Sequence, residues 1–142
     1  MKKVIECNIP PGEIKNKIYS SIKVIKQNES LPIWSGFWDI VGFENEKSLV
    51  LTKGRSNNVF EGRVSLDIAQ KDSGSTLTLE GLPMRKGAKL LCIAVSVMFG
   101  LFGLLLLEPI LPISVLLFWI GGSILKKKLE QDITNYISEL AK

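Results

Sequence analysis

From residue 90 to residue 125 the chain carries one charged side chain, Glu108, and Pro109 follows it immediately. A bilayer core is about 30 Å thick, and a helix needs about 20 apolar residues to cross it. The run is too long for one such helix and long enough for two short ones. At 1.5 Å per residue, residues 90–107 span roughly 27 Å and residues 110–125 roughly 24 Å. Proline cannot continue a helix, and it pushes the residue before it out of the α region. A glutamate at mid-bilayer costs about 2.5–3.5 kcal/mol, whereas at a hairpin tip it meets water or headgroups. Pro112 then falls in the first turn of the second helix, where its missing N–H is harmless. The stretch EPILP therefore predicts the tip of a transmembrane helical hairpin over residues 88–125, centred on Glu108 and Pro109.

The flanks assign a direction. Arg85, Lys86 and Lys89 precede the run, Lys126, Lys127 and Lys128 follow it, and the tip carries no cation. Under the positive-inside rule this predicts a multi-pass protein of the cytoplasmic membrane, with both termini in the cytoplasm and the lipid bilayer as its first partner. A re-entrant hairpin that dips in without crossing has the same flanks and stays open. Cys92, Ser96 and Gly100 lie at i, i+4 and i+8, a small-residue face beside Gly103, and the second segment has Gly121, Gly122 and Ser123. Small faces let helices approach closely, either within the hairpin or against a protein partner or second copy.

The rest of the chain is polar enough to fold in water. Residues 1–87 read as a cytoplasmic domain and residues 126–142 as an amphipathic tail. MKKVIECNIPPGE has no continuous apolar stretch of the kind a secretory signal needs, so the anchor is expected to be internal. A domain of this size is marginal for a core of its own. The tail places Leu129, Ile133, Tyr136, Ile137 and Leu140 on one stripe, and is expected to complete that core.

Within 1–87, MKKVIECNI reads as a strand ended by Pro10-Pro11-Gly12. Ile14, Ile18, Ile22 and Ile25 then fall on one helical face, predicting an amphipathic helix through residue 25. A helix lying on the membrane surface is the alternative for this basic segment. GFWDIVGFENEKSLVLTKG predicts two strands that turn at residues 44–47. Phe60, Gly62, Val64, Leu66 and Ile68 alternate with Glu61, Arg63, Ser65 and Asp67, a strand with one apolar and one solvated face. Lys71-Asp72-Ser73-Gly74 is a turn signal, and residues 76–79 form the return strand, closed by Gly81 and Pro83. The fold class is thus α+β: a small antiparallel sheet with one N-terminal and one C-terminal helix, plus the two-helix transmembrane hairpin.

The chain has no histidine, which removes the usual general base near neutral pH and the imidazole metal ligands. Its two cysteines, Cys7 and Cys92, are assigned to a strand and to the apolar run, and read as free thiols of a reducing compartment. A net charge of +4 is too mild and too mixed for a nucleic-acid footprint. Glu44 and Glu46 flank a turn and read as solvated, and residues 54–58 lack the lysine and the strand-to-helix setting of a phosphate loop. No catalytic constellation, metal set or cofactor signature is present. Trp34, Phe37 and Trp38, with Phe60 and Leu66, form a candidate apolar pocket; ordinary core packing is the competing reading for the aromatic cluster.

The junction ECNIPPGEIKNKI, and VFEGRVSLDI followed by TLTLEG, resemble the strand-to-helix junction and the central hairpin of the SRPBCC (START, Bet v 1-like) helix-grip superfamily. The resemblance covers residues 3–82 and 129–141. This chain departs from it by having fewer strands and an apolar insertion before the last helix, and no functional residue carries over. The resemblance implies a curved sheet gripping a helix around a cavity for apolar ligands. Three functions are therefore expected, in order: a membrane-anchored binding or accessory module, a lipid or apolar-ligand binding module at the bilayer surface, and a small membrane enzyme.

Overall fold

In a computed structural model the protein is described over residues 2–25, 40–44, 48–53, 60–71, 74–105 and 110–142. Among the described residues it is an α+β fold with a six-stranded sheet and three helices. Strand β1, Lys2–Cys7, leads into helix α1, Pro11–Ser21. Pro11 opens that helix, where a preset φ helps and no N–H is missed, and the Pro10 carbonyl accepts the amides of Glu13 and Ile14. Four strands follow beyond a short one: β2 (Lys23–Ile25), β3 (Ile40–Glu44), β4 (Leu49–Lys53), β5 (Gly62–Lys71) and β6 (Gly74–Gly81). Helices α2, Lys86–Leu105, and α3, Ile110–Leu140, complete the chain.

The sheet order is β1-β6-β5-β4-β3-β2. All neighbours are antiparallel except β2 and β3, which pair in parallel from Lys23↔Val41 to Ile25↔Phe43. The sheet is therefore mixed, and larger than the small antiparallel one expected from the sequence. The difference arises at the end of α1. Ile22 is extended at φ −127°, ψ 154°, and its successors join the sheet edge instead of prolonging the helix. Ser20 and Ser21 both return their hydroxyls to the Lys17 carbonyl, and the β-branched run Ile22, Val24, Ile25 favours extended backbone. Isoleucines at 22 and 25 fit a helical stripe as well as a strand, which is why periodicity alone misassigned them.

One face of the sheet holds the core. Leu49 and Leu51 of β4, Val64 and Leu66 of β5, and Leu77 and Leu79 of β6 are buried there, in register as Leu49↔Leu66↔Leu79. Ile14 and Ile18 of α1 and Ile133 and Ile137 of α3 are packed into the same cluster, all four fully buried. Lys3 Nζ reaches Ser138 Oγ (3.0 Å) and Lys53 Nζ reaches Asp132 Oδ2 (2.7 Å), tying α3 to β1 and β4. Cys7 and Cys92 are buried free thiols.

α3 is a single helix of 31 residues, roughly 46 Å long. Residues 129–141 pack on the sheet, whereas residues 110–125 rise beyond it beside α2. Large apolar side chains stay exposed along α2 and this part of α3, among them Leu90, Leu101, Phe102, Leu116, Leu117 and Ile124. Among the described residues one helical stretch, Lys86–Gly103, is long and apolar enough to cross a membrane, and it is 11% buried. The expectation of two such helices is corrected to that extent: the apolar part of α3 ends at Lys126–Lys128, roughly 24 Å after it begins.

Candidate functional site

Three ion pairs gather where the sheet domain meets the two apolar helices. Four pieces of chain converge there: residues 60–63 at the start of β5, residues 82–85 after β6, the first turn of α2, and residues 118–130 of α3. Their approach depends on two glycines. A Cβ on Gly62 would come within 2.5 Å of Leu129 Cβ and 2.8 Å of its carbonyl carbon, so only glycine lets α3 cross β5 at this distance. A Cβ on Gly122 would come within 2.3 Å of the Phe60 ring carbons. Phe60 is buried against α3, edge-on to Phe118 at 5.1 Å and to Trp119 at 6.1 Å between ring centroids. Gly122, read from the sequence as a helix–helix small residue, thus serves a domain–helix contact.

Behind Phe60 lies a buried ion network. Glu61 is 5% exposed, although strand alternation places it on a solvated face. Its Oε1 stands 2.8 Å from Arg85 Nε and 3.4 Å from Arg63 Nε, while its Oε2 is buried with no hydrogen-bond partner among the described residues. Burial pushes the Glu61 carboxyl above its usual value, and the charges of Arg85 and Arg63 and the bond from Arg85 oppose that rise. Arg63 Nη1 also donates to the Pro83 carbonyl at 3.4 Å. On α3, Lys126 pairs with the buried Glu130 one turn on, and donates to the Leu82 carbonyl at 2.9 Å. Arg85 and Lys126 are therefore neutralised locally. Lys86, Lys89, Lys127 and Lys128 are exposed on the two helices at the same junction.

The small-residue face of α2 turns toward α3. Cys92 and Gly103 are buried, Ser96 and Gly100 half-buried, and Trp119 Nε1 donates to Ser96 Oγ at 2.7 Å. Small side chains on one helix and an indole on the other meet here, and the hydroxyl accepts the half-buried indole N–H.

The other residues singled out from the sequence are dispersed. Of the candidate pocket, Phe60 lies on α3 and Leu66 lies in the sheet core; Trp34, Phe37 and Trp38 fall outside the described residues, as do Glu108, Pro109, Glu46 and residues 54–58. Glu44 accepts the Tyr19 hydroxyl at 2.9 Å and stands 3.6 Å from Lys15 Nζ. Burial, then that bond and the carboxylate charge, push the Tyr19 phenol up to about 12. Among the described residues no three Asp, Glu or Cys side chains converge as metal ligands would. Sequence reading missed Glu61 and Glu130. The i, i+4 spacing of Lys126 and Glu130 was an available signal, but nothing local marks Glu61 as buried. Neither a protein family, a curated protein nor a solved structure matches this chain.

Proposed function

We propose that the protein is a membrane-anchored binding or accessory module. In this reading α2 and residues 110–125 enter the bilayer together as a hairpin, and the sheet domain sits on the cytoplasmic side with both termini. The observation that carries it is the distribution of exposed apolar side chains. They line α2 and the first half of α3 and stop at a belt of lysines. Contiguous apolar surface of that extent on a folded chain marks an interaction with membrane or protein. The sheet core, with isoleucines of α1 and α3 and leucines of β4, β5 and β6 fully buried, supports a folded domain beside the anchor.

Helix-grip architecture with an apolar ligand is the second reading. The strand order, with α1 following β1 and α3 lying on the same face of the sheet, supports that resemblance.

Two measurements test the anchor. Alkaline carbonate should leave the protein in the membrane pellet, and its release would end the proposal. Cysteines placed at Ser73 and Lys142 should resist impermeant thiol reagents in intact cells, whereas one at Glu108 should react. Labelling of Glu108→Cys from the inside only would replace the crossing hairpin with a re-entrant one.

A further inference from the structure

We infer that the junction binds the phosphate headgroups of anionic phospholipids in preference to zwitterionic ones. The inference rests on the membrane-anchored reading and names the lipid class that this anchor selects. Two separate basic segments, residues 85–89 and 126–128, are brought to one level by tertiary contacts. Lys126 Nζ holds the Leu82 carbonyl, three residues before Arg85, and Glu61 holds Arg85 itself. The buried carboxylates Glu61 and Glu130 are matched by Arg63, Arg85 and Lys126. Lys86, Lys89, Lys127 and Lys128 remain exposed, and no acidic partner stands within ion-pair distance of them among the described residues.

Lys86 and Lys89 are one turn apart and share a face of α2. Directly beyond the four lysines begin Leu90 and Leu91 on one helix, and Leu125 and Ile124 on the other, all exposed. An acyl chain along these residues places its phosphate beside the ammonium groups. A zwitterionic headgroup brings its own cation to the same place and gains less. An anionic diester carries net negative charge, and basic residues beside an apolar surface attract it additively. The ion network adds preorganisation: the paired Arg85 and Lys126 hold the helix ends, so the four lysines need not be gathered when lipid binds.

The test is lipid retention by the full-length protein, purified in detergent containing equal amounts of phosphatidylglycerol and phosphatidylcholine and read by native mass spectrometry. The wild-type protein should retain phosphatidylglycerol with a preference of about tenfold, and that preference should fall as ionic strength rises. The variant K86Q/K89Q/K127Q/K128Q should approach parity. K15Q/K17Q/K23Q, which removes three lysines from α1 and β2, should keep the preference. Parity in the wild-type protein overturns the inference, as does an undiminished preference in the four-lysine variant, or an equal loss in the α1–β2 variant. Should the four-lysine variant fail to fold, the salt response of the wild-type protein decides alone. Carbonate release would instead overturn the anchor, so the two failures are distinguishable.

Discussion

The two halves of α3 are one unbroken helix in opposite surroundings. Residues 129–140 present Leu129, Ile133 and Ile137 to the sheet and bury them; residues 110–125 present Ile113, Leu116, Leu117 and Ile120 outward and leave them exposed. Helical hydrogen bonding is satisfied in both, so backbone structure does not distinguish them. Neighbours do. The packed half is held by contacts from α1, β4 and β5 and by the Lys3–Ser138 bond from β1, and the free half by α2 and Phe60. No break intervenes at Lys126–Lys128, so the backbone runs as one helix from one half into the other.

The sharpest way to break this comparison is to place the same charge in each half. Ile133→Asp with Ile137→Asp puts two carboxylates into a fully buried cluster. Such changes cost more than about 4 kcal/mol each against a domain stability of about 5–15 kcal/mol. The domain should unfold, lose its cooperative thermal transition and become sensitive to trypsin. Leu117→Asp with Ile120→Asp should leave the transition in detergent almost unchanged and impair membrane insertion. Equal destabilisation by both pairs would mean that the apolar half is also part of the folded core.

A smaller effect is expected where the helix crosses the domain. Gly62→Val should cost about 1–3 kcal/mol, because its side chain meets the Leu129 backbone, which cannot give way without moving α3. Gly121→Val meets nothing among the described residues within 4 Å of its new Cβ and should be close to neutral. Thermal midpoints of the two variants measure the contrast. A neutral Gly62→Val would show that α3 does not press on β5.

The smallest effect concerns pH. Glu61 has a raised folded-state pKa, so folding favours its protonated form. Its contribution to stability is fully present below the ordinary carboxylate value and is lost as pH rises through the raised one. The midpoint of the wild-type protein, measured against that of Glu61→Gln, should therefore decline as pH increases through that window. A flat difference would mean that Arg63 and Arg85 compensate the burial completely.

Patterns of local period were readable without a structure. The alternation within residues 60–68 corresponds to a strand from Gly62 onward, and the stripe of the tail to a packed face; of the expected turn at 71–74, residues 72 and 73 lie outside the described residues. The α+β class followed from them. So did the position of the basic belt, since charges beside an apolar run need no folding to be seen. Of the candidate pocket residues, Phe60 and Leu66 proved to lie on different contacts, one against α3 and one in the sheet core. A single aromatic or leucine carries no sign of which surface will cover it.

What the sequence by itself determined is the set of amphipathic elements and the apolar run, because both arise from spacing along the chain. Only the tertiary structure decided that Ile25 belongs to a strand, that Gly62 and Gly122 are points of close approach, and that Glu61 lies buried beside Arg85. Those outcomes join residues far apart in sequence. Their energies depend on which surfaces meet, and periodicity along one segment contains no record of its partner.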